Sequence, residues 1–300
     1  MYDIIIIGGG PAGMTATMYA INKRLNVLMI SKDLGGKTNY RLELPWIQDY
    51  QVIRGLDVVK NFKYRLEYLD FAHSMQSVEK VTRHKPSYAV HTTEGEILET
   101  HSVIIATGAR QQWLDVPGEK EFLSKGLCYS AMSYAPLFID KKTVVVGEDE
   151  LALRSAAELA TVAEHVDVVG PSGDVLNTPI GKKLVSAKNV TILSGYQVSK
   201  VEGNGYANRL VVHGPEGDEQ VLDADGAFVE KALLPNSEMV ADLVDLDEQN
   251  RIIVDCFNRT SAPGIFAAGD VTNIYAEQVL VALGEGTKAV LSAYDYLLTV

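Results

Sequence analysis

The sequence predicts an α/β protein built around two βαβ units, and three observations carry that prediction. The β-branched run Ile4–Ile7 ends at Gly8, an Ala-rich stretch of helical composition follows, and a second apolar run ends at Ile30. The stretch from Val144 to Val169 repeats this pattern, with its first run ending at Gly147 and its second ending 22 residues later, the same offset as from Gly8 to Ile30. Each unit has the length of a parallel crossover, which is right-handed. Internal duplication therefore gives two Rossmann-like, three-layer dinucleotide-binding domains.

Composition fits two such domains and narrows the partners. A chain of 300 residues, 47% apolar, buries a full core and is not disordered. A balance of 27 basic against 39 acidic residues, net charge −12, argues against nucleic acid and anionic membranes as partners. Cys128 and Cys256 are too few and too far apart for a disulfide framework or a thiolate metal site, so a cytoplasmic protein is expected. Neither end reads as an export or membrane signal. The six histidines, His73, His84, His91, His101, His165 and His213, show no ligand spacing, so no metal is expected.

The two copies differ at their glycine turns. In the first, Gly8, Gly10 and Gly13 form G-x-G-x-x-G between strand and helix: one glycine for the tight turn, one for approach to a pyrophosphate, one for helix packing. Ser31 stands where an acidic residue would hold a ribose, with Asp33 two residues later. In the second copy the hexad is Gly147-Glu148-Asp149-Glu150-Leu151-Ala152. Three carboxylates suit a helix N-terminus but repel a pyrophosphate, by on the order of a kcal/mol each at roughly 4–6 Å. This copy is expected to keep the fold without the dinucleotide.

Two further motifs, SVIIATGAR at Ser102–Arg110 and TSAPGIFAAGDV at Thr260–Val271, precede a C-terminal helix expected from about Ala276 to Leu298. Together with the N-terminal GGGPAG, they make the chain resemble the two-dinucleotide-fold FAD disulfide reductases, and its length resembles the low-molecular-weight thioredoxin reductase branch. The resemblance implies a discontinuous FAD-binding domain, residues 1–113 and 242–300, around a degenerate NAD(P)H-type domain, residues 118–238, with hinges at Val116-Pro117-Gly118 and near Asp242. It implies one FAD per chain, held by Gly8, Gly10, Pro11, Ala12, Gly13, Ser31, Gly35, Gly36, Lys37, Thr38, Val78, Ala106, Thr107, Gly108, Gly269, Asp270, Glu277, Gln278 and Val279. Lys37 departs from the family's Gly-Gly-Gln and Glu277 from its usual arginine. The N-terminus of the last helix would stabilise charge on the reduced flavin, and Glu277 would offset part of that effect.

The family's redox C-x-x-C falls on Ser130 and Ser133, which form no disulfide, and Tyr134 replaces the acidic residue that follows. Cys128 is either a reactive thiol or a small buried residue. Val169-Gly170-Pro171-Ser172 lacks the cations that would hold the 2′-phosphate of NADPH, and Ala232 replaces the glycine of G-x-x-P-N before Pro235-Asn236. The resemblance with these losses implies an FAD-dependent oxidoreductase independent of NAD(P)H. Its electrons would come from a ferredoxin- or flavodoxin-like protein or from a second flavin, and a homodimer is expected from the family. An acidic donor would need a local basic patch, at Lys141-Lys142, Lys182-Lys183 or around Lys60. Tyr129, Tyr134 and Tyr275 would either stack on a flavin or pack within the protein, and Tyr40–Gly55 would be a loop over the flavin, a dimer contact or plain packing. The alternatives are an FAD-binding sensory or partner-docking module without rapid turnover and, against the intact motifs, a cofactor-free scaffold. Substrate and direction of electron flow are not encoded legibly.

Overall fold

The repeat seen in the sequence is also a repeat of hydrogen-bond register. The computed structural model describes residues 1–48, 50, 55–129 and 131–300, and of Ala131 and Met132 the backbone alone. In each copy the first glycine hangs from the end of the second strand: Gly8 N donates to Ile30 O at 2.8 Å and Gly147 N to Val169 O at 2.9 Å. A third strand closes both arrangements alike, through Ala106 N to Ile7 O at 2.7 Å and Glu230 N to Val146 O at 2.8 Å. A Cβ on Gly8 would lie 2.2 Å from Ala106 O, and one on Gly147 would lie 2.2 Å from Glu230 O. A turn passing this close to a neighbouring carbonyl accepts only glycine.

The chain divides into two compact units. The first comprises Met1–Asn39, Arg54–Arg110 and Leu234–Val300. Its parallel strands run in the order His73–Ser74, Val27–Ile30, Tyr2–Ile7, Ile97–Ile105, and Ile265–Ala267 pairs with the last of these. Ile97–Ile105 serves two neighbourhoods, its first half pairing antiparallel with Ser87–Thr92 and its second half running parallel to Tyr2–Ile7. Ile4–Ile6 and Val103–Ile105 are fully buried, as strands covered on both faces must be. Helices Pro11–Asn22 and Val279–Leu297 cover one face, and the hairpin strands Val78–His84 and Ser87–Thr92, with Val240, Val244 and Ile252, cover the other. The two helices touch at glycine distance, since a Cβ on Gly286 would lie 2.1 Å from Ala12 O. The last helix begins at Val279, not Ala276, with Gln278 as its N-cap.

The second unit comprises Tyr40–Ile53 and Gln111–Leu233. Its parallel sheet runs Val190–Ser194, His165–Gly170, Lys142–Val146, Gly226–Val229, Leu127–Cys128, and a separate antiparallel sheet contains Gln197–Gly203, Ala207–His213 and Glu219–Asp223. Helices Glu150–Leu159 and Pro179–Val185 pack on one face of the parallel sheet, and the antiparallel strands pack on the other through Val201, Leu210 and Val212.

These boundaries differ from those read in the sequence. Val116-Pro117-Gly118 lies inside the second unit, where Val201 N donates to Pro117 O at 2.9 Å and a Cβ on Gly118 would lie 2.0 Å from Val201 O. The connection after Asn39 is a packed strap of the second unit. Leu42 and Leu44 are buried in its helical core, and Trp46 sets its ring edge-on to Phe138 at 5.4 Å while Nε1 donates to Leu137 O at 3.2 Å. Residues 49 and 51–54 of this stretch lie outside the described residues. Trp46→Ala removes a half-buried indole with its ring partners and hydrogen bond, and should cost about 2–4 kcal/mol, read as a lowered midpoint in denaturant unfolding with the first unit's melting unchanged.

Candidate cofactor-binding site

The three motif glycines of the first unit have three separate physical roles. Gly8 takes φ +116° beneath the Ala106 carbonyl, and Gly13 lets the helix approach so closely that a Cβ there would lie 1.8 Å from Gly8 O. Gly10 is different. It is the N-cap of helix Pro11–Asn22 at φ −73°, it provides no side-chain cap, and the first turn holds no acidic residue. Among the described residues nothing comes within 4 Å of the position its Cβ would take. A helix N-terminus with uncapped N–H groups thus faces open space, which suits a phosphate group.

The loop after the second strand folds against this turn. A Cβ on Gly9 would lie 2.0 Å from Asp33 O, and one on Gly36 would lie 3.3 Å from Gly10 Cα. The loop's polar groups hold its own shape: Ser31 Oγ donates to Asp33 O at 2.7 Å, Gly36 N to Asp33 Oδ1 at 2.8 Å, and Thr38 Oγ1 to Gly35 O at 2.7 Å. Ser31 Oγ and Asp33 Oδ1 are therefore engaged within the loop, while Asp33 itself is exposed. Lys37 Nζ pairs with Asp270 Oδ2 at 2.6 Å, so the residue that departs from the family pattern meets the aspartate of the A-G-D motif. Gly269, at φ +77°, brings that aspartate past Ala12, whose Cβ lies 3.2 Å from where a Gly269 Cβ would be. Loss of hydration raises the Glu277 carboxyl above its ordinary range although its side chain still reaches solvent; Lys37 pulls it down and Asp270 pushes it up. Gly10, Gly36, Lys37, Asp270, Glu277 and the start of the last helix thus form one neighbourhood.

The A-T-G turn has a partner that the sequence did not reveal. Asn236 belongs to the first unit and ties the turn down, with Thr107 Oγ1 donating to Asn236 O at 2.7 Å, Asn236 Nδ2 to Thr107 O at 2.9 Å and Asn236 N to Gly108 O at 3.0 Å. The Thr107 hydroxyl is therefore structural. The pairing of Leu234–Pro235 with Ala109–Arg110 brings Asn236 there, and only a contact across more than 120 residues reveals it. Val78 opens strand Val78–His84 and packs on the sheet's second core, which includes Ile7 and Ile30.

The matching turn of the second unit is closed by its own side chains. Asp149, at the second-glycine position, caps helix Glu150–Leu159 by accepting from Leu151 N at 3.0 Å, and Glu150 binds Arg154 NH2 at 2.8 Å. Ala152, at the third-glycine position, is fully buried. Tyr134 is buried with its hydroxyl accepting from Leu42 N at 3.3 Å, and burial pushes its phenol far above the usual range. Tyr129 donates to the buried Glu119 and meets Trp113 edge-on at 5.7 Å. Tyr134 packs in the core and Tyr129 is half-buried against Trp113, whereas Tyr275 is 96% exposed. Ser133 is half-buried and Ser130 lies outside the described residues. No helix among the described residues is long and apolar enough to cross a membrane.

Comparison with known proteins agrees with this arrangement. The family model for pyridine nucleotide-disulphide oxidoreductases matches residues 2–286. An alkyl hydroperoxide reductase subunit, that of Staphylococcus aureus strain MSSA476, is 31% identical over 304 residues, covering 99% of this chain and 59% of the relative; the Pseudomonas aeruginosa protein of the same name is likewise 31% identical, with 58% covered. The chain therefore spans less than two thirds of these relatives. A crystal structure of thioredoxin reductase from Streptococcus pyogenes superposes with a TM-score of 0.89 at 31% identity, covering 100% of this chain and 99% of the other. Thioredoxin reductase from Giardia duodenalis gives 0.86 at 25%, with 99% of each chain covered.

The chain belongs to the pyridine nucleotide-disulphide oxidoreductase family. Within it, the chain has the two-dinucleotide-domain fold of the thioredoxin reductases, and membership implies FAD as cofactor.

The geometry separates the glycines by experiment. Gly8→Ala should cost more than about 3 kcal/mol of apoprotein stability, whereas Gly10→Ala should change it by under about 0.5 kcal/mol and instead weaken FAD binding at least about tenfold, read by flavin fluorescence. For Glu277, a raised folded-state pKa means that the native state holds the proton more tightly than the unfolded chain, so stability falls as pH rises from 4.5 through the folded value. Glu277→Gln should raise the apoprotein Tm at neutral pH, and the gain should vanish as pH drops toward 4.5.

Proposed function

We propose that the protein is an FAD-dependent oxidoreductase that does not take its electrons from NAD(P)H and does not pass them through a disulfide of its own. The observation that carries this reading is Asp149. A carboxylate stands where a glycine would admit a pyrophosphate, and it is already engaged as a helix cap. Nucleotide phosphates would meet Glu148, Asp149 and Glu150 at that helix start, and Val169-Gly170-Pro171-Ser172 brings no cation to the next strand end. Serines at positions 130 and 133 support the second half of the reading.

In this reading the FAD-binding domain is the first unit, with one FAD per chain. Bound FAD supplies a two-electron carrier that needs no protein nucleophile. The chain's contribution is to hold and tune it. The open N-terminus at Gly10 receives the pyrophosphate, Gly35–Thr38 and the Ala106–Gly108 turn flank the cofactor, and the Lys37–Asp270 pair with Glu277 sets the charge near Gln278 and Val279. Electrons enter from a ferredoxin- or flavodoxin-like protein or from a second flavin, and the protein acts as a homodimer. Relatives named as reductases make an NAD(P)H-driven enzyme the competing reading.

Anaerobic titration of the flavoprotein separates the two. Excess NADPH and NADH should leave the flavin oxidised, while dithionite or light bleaches it; rapid bleaching by either nucleotide overturns the proposal. A released-flavin count near two per chain selects the second flavin over a protein donor.

A further inference from the structure

We infer that Gln76 is a cofactor-binding residue, its side-chain carbonyl accepting a hydrogen bond from a hydroxyl of the adenosine ribose of FAD. This rests on the reading of the first unit as FAD-binding. Gln76 lies between strands His73–Ser74 and Val78–His84 and is 8% exposed. Its Nε2 donates to Ser74 Oγ at 2.9 Å and to Glu96 Oε2 at 2.7 Å. An ionised carboxylate only accepts, so Glu96 fixes which end of the amide is nitrogen. Glu96 is itself held by its backbone, with Glu96 N donating to Thr92 Oγ1 at 3.2 Å and Thr92 N to Glu96 O at 3.0 Å. Both amide protons are thus engaged. Oε1 remains, buried and, among the described residues, without a hydrogen-bond partner.

A buried acceptor without a donor is costly and rare in native interiors. The position of this one gives it a use. Ser74 pairs in register with Ile30, and Ser31 N donates to Ser74 O at 3.1 Å, so the Gln76 amide is anchored beside the C-terminal end of the second strand. At that strand end dinucleotide folds hold a ribose hydroxyl with a carboxylate. Here Ser31 occupies the position with its hydroxyl turned to Asp33 O, and the Asp33 carboxylate caps Gly36 N. No carboxylate stands at the strand-end position itself, and two residues beyond the neighbouring strand stands a fixed, unspent acceptor.

Gln76→Lys tests this, because it keeps donors for Ser74 and Glu96 while removing the acceptor. Apoprotein prepared from the flavoprotein is titrated with FAD and with FMN, which lacks the adenosine, and binding is read by quenching of flavin fluorescence. The substitution should weaken FAD binding about tenfold, leave FMN binding unchanged, and keep the apoprotein Tm within about 2 °C. On the wild type, ADP should displace FAD better than 2′-deoxy-ADP or 3′-deoxy-ADP does. Unchanged FAD affinity in Gln76→Lys overturns the inference, as does equal competition by ADP and both deoxy forms on the wild type, a measurement that needs no variant to fold. Wild-type apoprotein that binds neither FAD nor ADP instead overturns the FAD reading itself.

Discussion

Both units depend on a glycine pressed against a carbonyl. Where Gly8 lies under Ala106 O and Gly147 under Glu230 O, the exit of the first strand, the end of the third and the start of the helix are locked into one knot. Any side chain there would push the helix off the sheet, so the contact fixes where the helix N-terminus emerges. It emerges at the C-terminal edge of the parallel strands, where such folds collect ligands. The contact that makes the fold is separate from the contact that makes the site. The former is the same in both copies. The latter position differs between them: the space above Gly10 is open, while in the second unit Asp149 caps its own helix.

This separation explains how one scaffold holds two electrostatic outcomes. An uncapped helix start presents N–H groups and partial positive charge to whatever lies beyond it, and the first helix of the first unit does so. Once Asp149 accepts from Leu151 N, the equivalent helix is satisfied internally and its dipole is complemented by its own carboxylates. At the other end of the first unit's site the balance is finer. Glu277 stands just before the last helix, where Lys37 favours its charged form and Asp270, which shares Lys37, disfavours it.

What the sequence made legible was local. The offset between Gly8 and Ile30 and its recurrence from Gly147 to Val169, the A-T-G and the A-G-D all lie within single strand–turn segments, and these gave the fold class and the family. The rest depends on pairings between distant segments that leave no period in the sequence. Asn236 reads as a relic of a nucleotide element until strand pairing sets it against Thr107. Pro117-Gly118 reads as a hinge, yet its glycine serves a close approach to Val201 O. Ser31 reads only as a substitute for a strand-end acid, with Asp33 nearby, and the hydrogen bonds by which both shape the loop are not legible in the sequence. The Gln76 amide, lacking any motif, became visible only through an unmet hydrogen bond.

In the region around Cys128 the chemical departures sit beside a tightly packed segment. A redox pair of cysteines must be reachable by a flavin on one side and a substrate on the other, which requires partly exposed sulfur. Here the segment just past those positions is anchored. Tyr134 is 3% exposed, Phe138 is fully buried against Phe228 with ring centroids 5.0 Å apart, and the strap from Leu42 to Trp46 packs onto both through backbone and ring contacts. An acidic residue at position 134 would be desolvated in that environment at several times the cost of a tyrosine whose hydroxyl meets a backbone N–H. The tyrosine and the strap are therefore mutually dependent: the phenol is accommodated because Leu42 supplies a donor, and Leu42 is held because the phenol accepts. Cysteines placed at 130 and 133 alone would leave this anchor of Leu42, Trp46, Tyr134 and Phe138 in place.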